Sequence, residues 1–329
     1  MREINRRRTL LAGVALTMLG SVAHAQVFPN KPIRLICPFP PAGAVDIASR
    51  AIANELSKNL GQPVTVENRP GAGGNIGGAE AARAAPDGYT LFMTTSGIQG
   101  INPALYAKMP YNAATDFAPI TQMLRVPNVL VINAETAQRL KINTLADLIA
   151  YAKANPDKLT YGSAGVGTLQ HVWGNILLRN LGLELIHVPF KGSPPAYQEM
   201  LAGRLDMIFD NVSSSKSYVQ TGRIKGVAVS SEKRTLALPN LPTINETNLT
   251  KFNGESWFGI FAPTGTSPAI VNKLRAAMAQ INKDSEFNAQ IEQDGGRLLN
   301  IPASQQQAFL LDEINRWVPV VMNSNIKVD

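Results

Sequence analysis

Short apolar runs alternate with amphipathic helical stretches along nearly the whole chain, and that alternation narrows the possible folds more than any other feature. Ile33–Pro38 is an apolar run broken by Pro38-Phe39-Pro40-Pro41, the pattern of a buried strand ending in a turn. Val45–Leu60 follows with Ala48, Ile52, Leu56 and Leu60 at helical spacing and Gly61 as its stop. Val64–Val66 predicts a second strand, Ile76–Ala85 a helix of small residues, and Tyr89–Thr95 a third strand after the turn Pro86-Asp87-Gly88. Further strands are expected at Val129–Ile132, Thr160–Gly162, Leu185–Val188, Met207–Phe209 and Val227–Val229. Thr144-Leu145-Ala146-Asp147 opens a helix with a capping-box pattern, and Ile270–Ile281 and Gln305–Val318 are amphipathic. Strand–helix–strand units of this length pair their strands in parallel through right-handed crossovers, so the expected class is α/β. For 329 residues, two α/β lobes fit better than one long sheet.

The first 25 residues stand apart from this pattern. Arg2, Arg6, Arg7 and Arg8 precede an uncharged apolar stretch, Leu10–Val22, which closes on Ala23-His24-Ala25. A basic head, a short apolar middle and small residues at a cleavage site make an export signal, with the Sec route favoured over the twin-arginine route. The segment carries four Arg and one Glu, a net of +3, so the formal charge of +7 falls to +4 without it. No Lys/Arg block remains to suggest a nucleic-acid track. Cys37, the single cysteine, lies in an apolar run and reads as a small buried hydrophobe, and the two remaining histidines are too far apart in sequence to suggest zinc. No metal or cofactor is expected.

Enzyme motifs fail one by one. Tyr161 occupies the first glycine position of a G-x-S-x-G elbow at Ser163, and Gly165-Val166-Gly167 lacks the third glycine of a dinucleotide fingerprint. Two Gly-rich turns between a strand and a helix start remain, Pro38–Asp46 and Gly162–His171. A helix start leaves N–H donors unpaired, and glycine lets a ligand approach the backbone, so such turns hold a carboxylate without Arg or Lys. Spacing alone suits plain tight turns equally well.

The run Lys31–Pro41 with Gly43 and Asp46 resembles the opening of the Bug family of periplasmic solute receptors, the substrate-binding proteins of tripartite tricarboxylate transporters. Further matches follow in order: Glu67–Gly74, Pro86–Leu91, Asn102–Tyr106, Tyr161–Thr168 with His171, His187–Gly192, Trp257–Gly259 and Ala262–Thr266. The resemblance implies a two-lobed, type II periplasmic-binding ("Venus flytrap") architecture with two hinge crossings. Lobe 1 would combine 26–127 with 245–329, and lobe 2 would span 128–244. The implied function is capture of a small organic acid in the interlobe cleft, by a monomer that partners membrane permease subunits or a sensor kinase. A periplasmic hydrolase and a signalling-only receptor are the rival readings.

Carried over residue by residue, Phe39, Pro40, Ala42, Gly43 and Asp46 form a first cradle, and Ser163, Gly165, Gly167 and Thr168 a second. Thr95 and Ser96 end the third strand and point toward the crevice expected outside the strand ends. His171 reads as structural or as a cleft-edge residue, Lys191 as reaching the cleft or solvated, and Asp46 as a helix cap or as an orienter of water or a ligand amine. Ala42 and Ala44 stand where the family usually has Gly, and Val45 where a small residue is common. Those added methyls narrow the first cradle or displace a bridging water.

Overall fold

A computed structural model describes residues 28–324 and 326; the leader expected at 1–25 lies outside the described residues. The order is β1 (Ile33–Cys37), α1 (Ala44–Leu60), β2 (Val64–Asn68), α2 (Asn75–Ala82), β3 (Thr90–Thr95), a wide turn Gly97–Ile101, α3 (Asn102–Leu105) and β4 (Phe117–Asn133). Next come α4 (Ala134–Leu140), α5 (Leu145–Ala154), β5 (Thr160–Ser163), α6 (Leu169–Leu181), β6 (Ile186–Pro189), α7 (Ser193–Leu201), β7 (Met207–Asn211), α8 (Val212–Gln220) and β8 (Ile224–Val229). The chain finishes with β9 (Glu255–Pro263), α9 (Pro268–Ile281), α10 (Ser285–Gln293), β10 (Arg297–Leu298) and α11 (Gln306–Met322).

The strands form one continuous path, β2-β1-β3-β9-β4-β7-β5-β6, with β8 and β10 also on β4. Pairing is parallel among β1, β2 and β3 and again among β5, β6 and β7, as the strand–helix alternation predicts. It is antiparallel wherever β4 or β9 takes part, which the alternation does not predict. β4 is the reason. It runs for 17 residues, pairing β9 through Pro127 and then β7 and β8 from Asn128 onward. One strand therefore belongs to both halves of the molecule.

Each half is a sheet between two helical layers, so its strands are buried on both faces and read as near-continuous apolar runs. In the first half, Leu35, Met93 and Ile260 pack on Ile52 and Leu56 of α1 and Leu274 of α9, while Ile36, Phe92 and Phe261 pack on α2 and on Leu310 of α11. In the second, Leu130 and Ile132 meet Leu148 and Leu177, whereas Val129 and Val131, one residue out of phase, meet Tyr197 and Met200. Phe252 packs with that second core, and the chain re-enters the first half at Gly254 and Glu255. A smaller cluster ties the halves together: Trp317 and Val321 of α11 pack on Leu169 and Val172 of α6, and Trp317 meets Trp173 edge-on at 5.1 Å.

Helix ends follow local chemistry. Thr144 and Asp147 bond reciprocally at the start of α5, as the capping box predicts. α1 and α6 stop at Gly61 and Gly182, both in the left-handed conformation that glycine adopts without strain.

Candidate functional site

The turns after β1, β3, β5 and β7 converge on a slot between the two halves, outside the carboxyl ends of these parallel strands. Its empty space is about 510 Å³ including the mouth. The halves touch across it. A Cβ on Gly192 would sit 2.6 Å from Pro40 Cδ, and one on Gly97 would sit 3.4 Å from the backbone nitrogen of Leu169.

The first turn is shaped by Asp46. This carboxylate is 3% exposed and accepts bonds from the Ala42 N–H (2.9 Å), from Arg50 Nε and Nη2 (2.9 Å each) and from Asn68 Nδ2 (2.8 Å). Burial works against its charge, but these bonds outweigh burial and hold the carboxyl below its usual range. Asn68 also donates to the Phe39 carbonyl at 2.8 Å, which fixes the crest of the turn. Ala42 takes a positive φ of 68°, the conformation that favours glycine, and its side chain is exposed. Its methyl group therefore narrows nothing; Ala44 and Val45 do line the slot.

The second turn is shaped by neutral groups. Ser163 Oγ lies 2.8 Å from His187 Nε2 and accepts the Gly165 N–H at 3.2 Å. His171 Nδ1 accepts the Gly167 N–H at 3.2 Å, and Thr168 Oγ1 donates to the Gly165 carbonyl at 2.7 Å. The two imidazoles stack at 3.8 Å. Burial pushes His171 down to about 4, and burial with the neighbouring His171 pushes His187 down to about 3. No carboxylate bonds His187 among the described residues, so Ser163 and His187 lack the third member that orients a nucleophile's base.

Both helices that leave these turns begin without a side-chain cap, at Gly43 and Thr168. Among the described residues, the first-turn N–H groups of Ala44 and Val45 in α1, and of Leu169 and Gln170 in α6, have no protein acceptor, and all four residues line the slot. The glycine amides expected as the second cradle are occupied within the turn; the open donors lie a few residues further along.

Of the residues expected from sequence, Phe39, Pro40, Gly43, Thr95 and Thr168 line the slot, and Gly165 and Lys191 line an adjoining space of about 700 Å³, with Lys191 exposed. Asp46, Ser96, Ser163, Gly167 and His171 are buried behind the walls, and Ala42 is exposed outside the slot. Ser96 accepts the Trp257 N–H at 3.2 Å, and His171 borders a separate pocket with Tyr161 and Arg179. Sequence reasoning passed over Gln170, Ser193, Asn211 and Ser256, which also line the slot. Asn211 ends β7 and immediately precedes α8, so the strand-then-helix signal used for the other turns applied there too. Among the described residues no three His, Cys, Asp or Glu side chains gather to hold a metal.

The family model described as "Tripartite tricarboxylate transporter family receptor" matches residues 48–326. Protein BugT of Bordetella pertussis is 32% identical over 319 residues, 96% of each chain. Among solved structures, R. palustris Rpa4515 with adipate superposes with a TM-score of 0.86 at 33% identity, covering 91% of this chain and 99% of that one. MatC from Rhodopseudomonas palustris with bound malate gives 0.81 at 30% identity, covering 89% and 100%. A two-half α/β receptor fold, a slot rimmed by open helix starts and matches over nearly the whole length agree: the chain belongs to the tripartite tricarboxylate transporter receptors, the Bug-type periplasmic solute-binding proteins.

Proposed function

We propose that this chain captures a small organic acid in the slot and closes over it, without turning it over. What supports the reading is the pair of facing helix starts, whose unpaired N–H groups at Ala44, Val45, Leu169 and Gln170 offer hydrogen bonds and partial positive charge to a carboxylate. Lys191, which lines the adjoining space, adds a weak attraction for an anion on its way in. The adipate and malate held by its structural relatives fall in the same chemical class.

Closure about the hinge brings the two helix starts together and excludes water, which strengthens each bond to the acid. We place the division of the lobes between Pro127 and Asn128 on the outward crossing, where β4 leaves β9 for β7 and β8. The return crossing is assigned to Gly254, a reading that the packing of Phe252 with the second core supports. The closed form is read by membrane permease subunits or a sensor protein, after export and removal of residues 1–25. A thermal-shift screen against mono- and dicarboxylates and neutral sugars tests the assignment, since a ligand that binds only the folded state raises the melting temperature. At least one acid should raise it and the sugars should not; a response to sugars alone refutes it.

A further inference from the structure

One side chain that lines the slot sets an acceptor beside the open donors. The N–H groups of the two helix starts offer protons, and so does Ser256, whose oxygen already accepts Asn211 Nδ2 at 3.2 Å. Gln170 offers the opposite. Its Nε2 donates to Asn211 Oδ1 at 2.9 Å, leaving Oε1 without a protein partner among the described residues.

The orientation of that amide follows from a series anchored on a group that cannot be reversed. The backbone carbonyl of Gly254, at the return crossing, only accepts, so Asn128 presents Nδ2 to it at 2.6 Å. Asn128 Oδ1 then accepts Asn211 Nδ2 at 3.1 Å, and Asn211 must turn Oδ1 toward Gln170. Reversing Asn211 alone would set oxygen against oxygen at one end and NH₂ against NH₂ at the other. Asn128 and Asn211 are 0% and 1% exposed, so water does not relieve such a mismatch.

We infer that Gln170 Oε1 selects the ligand: the acid that fits best carries a hydrogen-bond donor, a hydroxyl or an amino group, beside the carboxylate held at the helix starts. The inference rests on the carboxylate reading above. An acid without such a donor sets C–H against Oε1 and leaves an acceptor desolvated when the halves close, and a site built around a hydrogen bond discriminates against the analogue that lacks it.

Calorimetric titration with succinate, malate and aspartate, which share a four-carbon skeleton, tests this, together with the matched pairs propionate and lactate, and glutarate and 2-hydroxyglutarate. The donor-bearing acid of at least one set should bind about tenfold more tightly. Gln170→Met and Gln170→Leu, which both lack the acceptor, should bring that ratio to within about twofold. Melting curves establish that the variants are folded, and the wild-type ratio is decisive even if they are not. Equal affinity across every set, or a preference that survives in folded Gln170→Met, overturns the inference alone. Failure of every acid to bind overturns the carboxylate reading and the inference with it.

Discussion

The two turns that face each other across the slot do one job with opposite chemistry. The turn after β1 is held by a buried carboxylate with a guanidinium and a side-chain amide around it; the turn after β5 is held by a serine, a threonine and two uncharged imidazoles. In both, the side chains satisfy the turn's own polar groups and leave the first N–H groups of the following helix open. A binding site made from main-chain donors thus depends on residues that do not touch the ligand. The two kinds of scaffold should also fail under different conditions.

Asp46→Ala should produce the largest effect. It strips three partners from one buried carboxylate, and breaking such a cluster costs about 3 kcal/mol, measured as loss of stability in urea, with acid affinity falling alongside. Stability close to wild type would mean that the first turn is held by something else.

Acid separates the turns next. His171 and His187 have folded-state values lowered to about 4 and about 3, so below about pH 6.5, the ordinary histidine value, the unfolded chain takes up protons first. The stability contributed by the neutral pair is complete above that pH and declines progressively toward pH 3. Asp46 has a lowered carboxyl value, so its contribution persists until the pH falls below the usual carboxylate range. Melting temperature should therefore fall between pH 6.5 and 4 through the second turn, and His187→Phe, which keeps a stacked ring, should flatten that fall. An unchanged slope in the variant would remove the histidines from the explanation.

A Cβ at Gly97 would lie 3.4 Å from the Leu169 nitrogen and 3.6 Å from Thr95 Oγ1, crowding one open donor. Gly97→Ala should weaken acid binding about fivefold in calorimetry, about the worth of one hydrogen bond. The smallest effect is expected at Ala42. Replacing it with glycine relieves a positive φ worth about 1–2 kcal/mol but adds unfolded-state entropy of about 0.4–1 kcal/mol, so denaturant unfolding should show a net gain of about 0.5 kcal/mol.

The sequence was legible where a segment carried its own punctuation. The helix ending at Gly61, the capping box at Thr144 and the strand before Pro38 appear within a residue or two of where spacing puts them. β4 was only partly legible. Val129–Ile132 stood out, but the strand begins at Phe117 and passes through Pro119 and Pro127, residues that ordinarily argue against a central strand. Both are accommodated by tertiary context: Pro119 lies at a register shift, and Pro127 stands where β4 exchanges one set of partners for another. α10 escaped notice because Phe287 and Ile291 are its only buried residues and Asp284 its only clear signal.

The site was legible as turns and not as atoms. A glycine pattern marks where a backbone can come close to a ligand, but which N–H remains open depends on contacts distant in sequence. His171 takes the Gly167 donor, whereas Asn211, 41 residues beyond Gln170, orients that side chain. No local pattern encodes either.

The most direct measurement is a ¹⁵N–¹H amide spectrum of the labelled, deuterated protein, titrated with the acid that raises the melting temperature most. The amide protons of Ala44, Val45, Leu169 and Gln170 should move downfield as they bond to the carboxylate, with those of Gly165 and Gly167 moving less. Saturated binding with all four unmoved would mean that the acid is held by other groups.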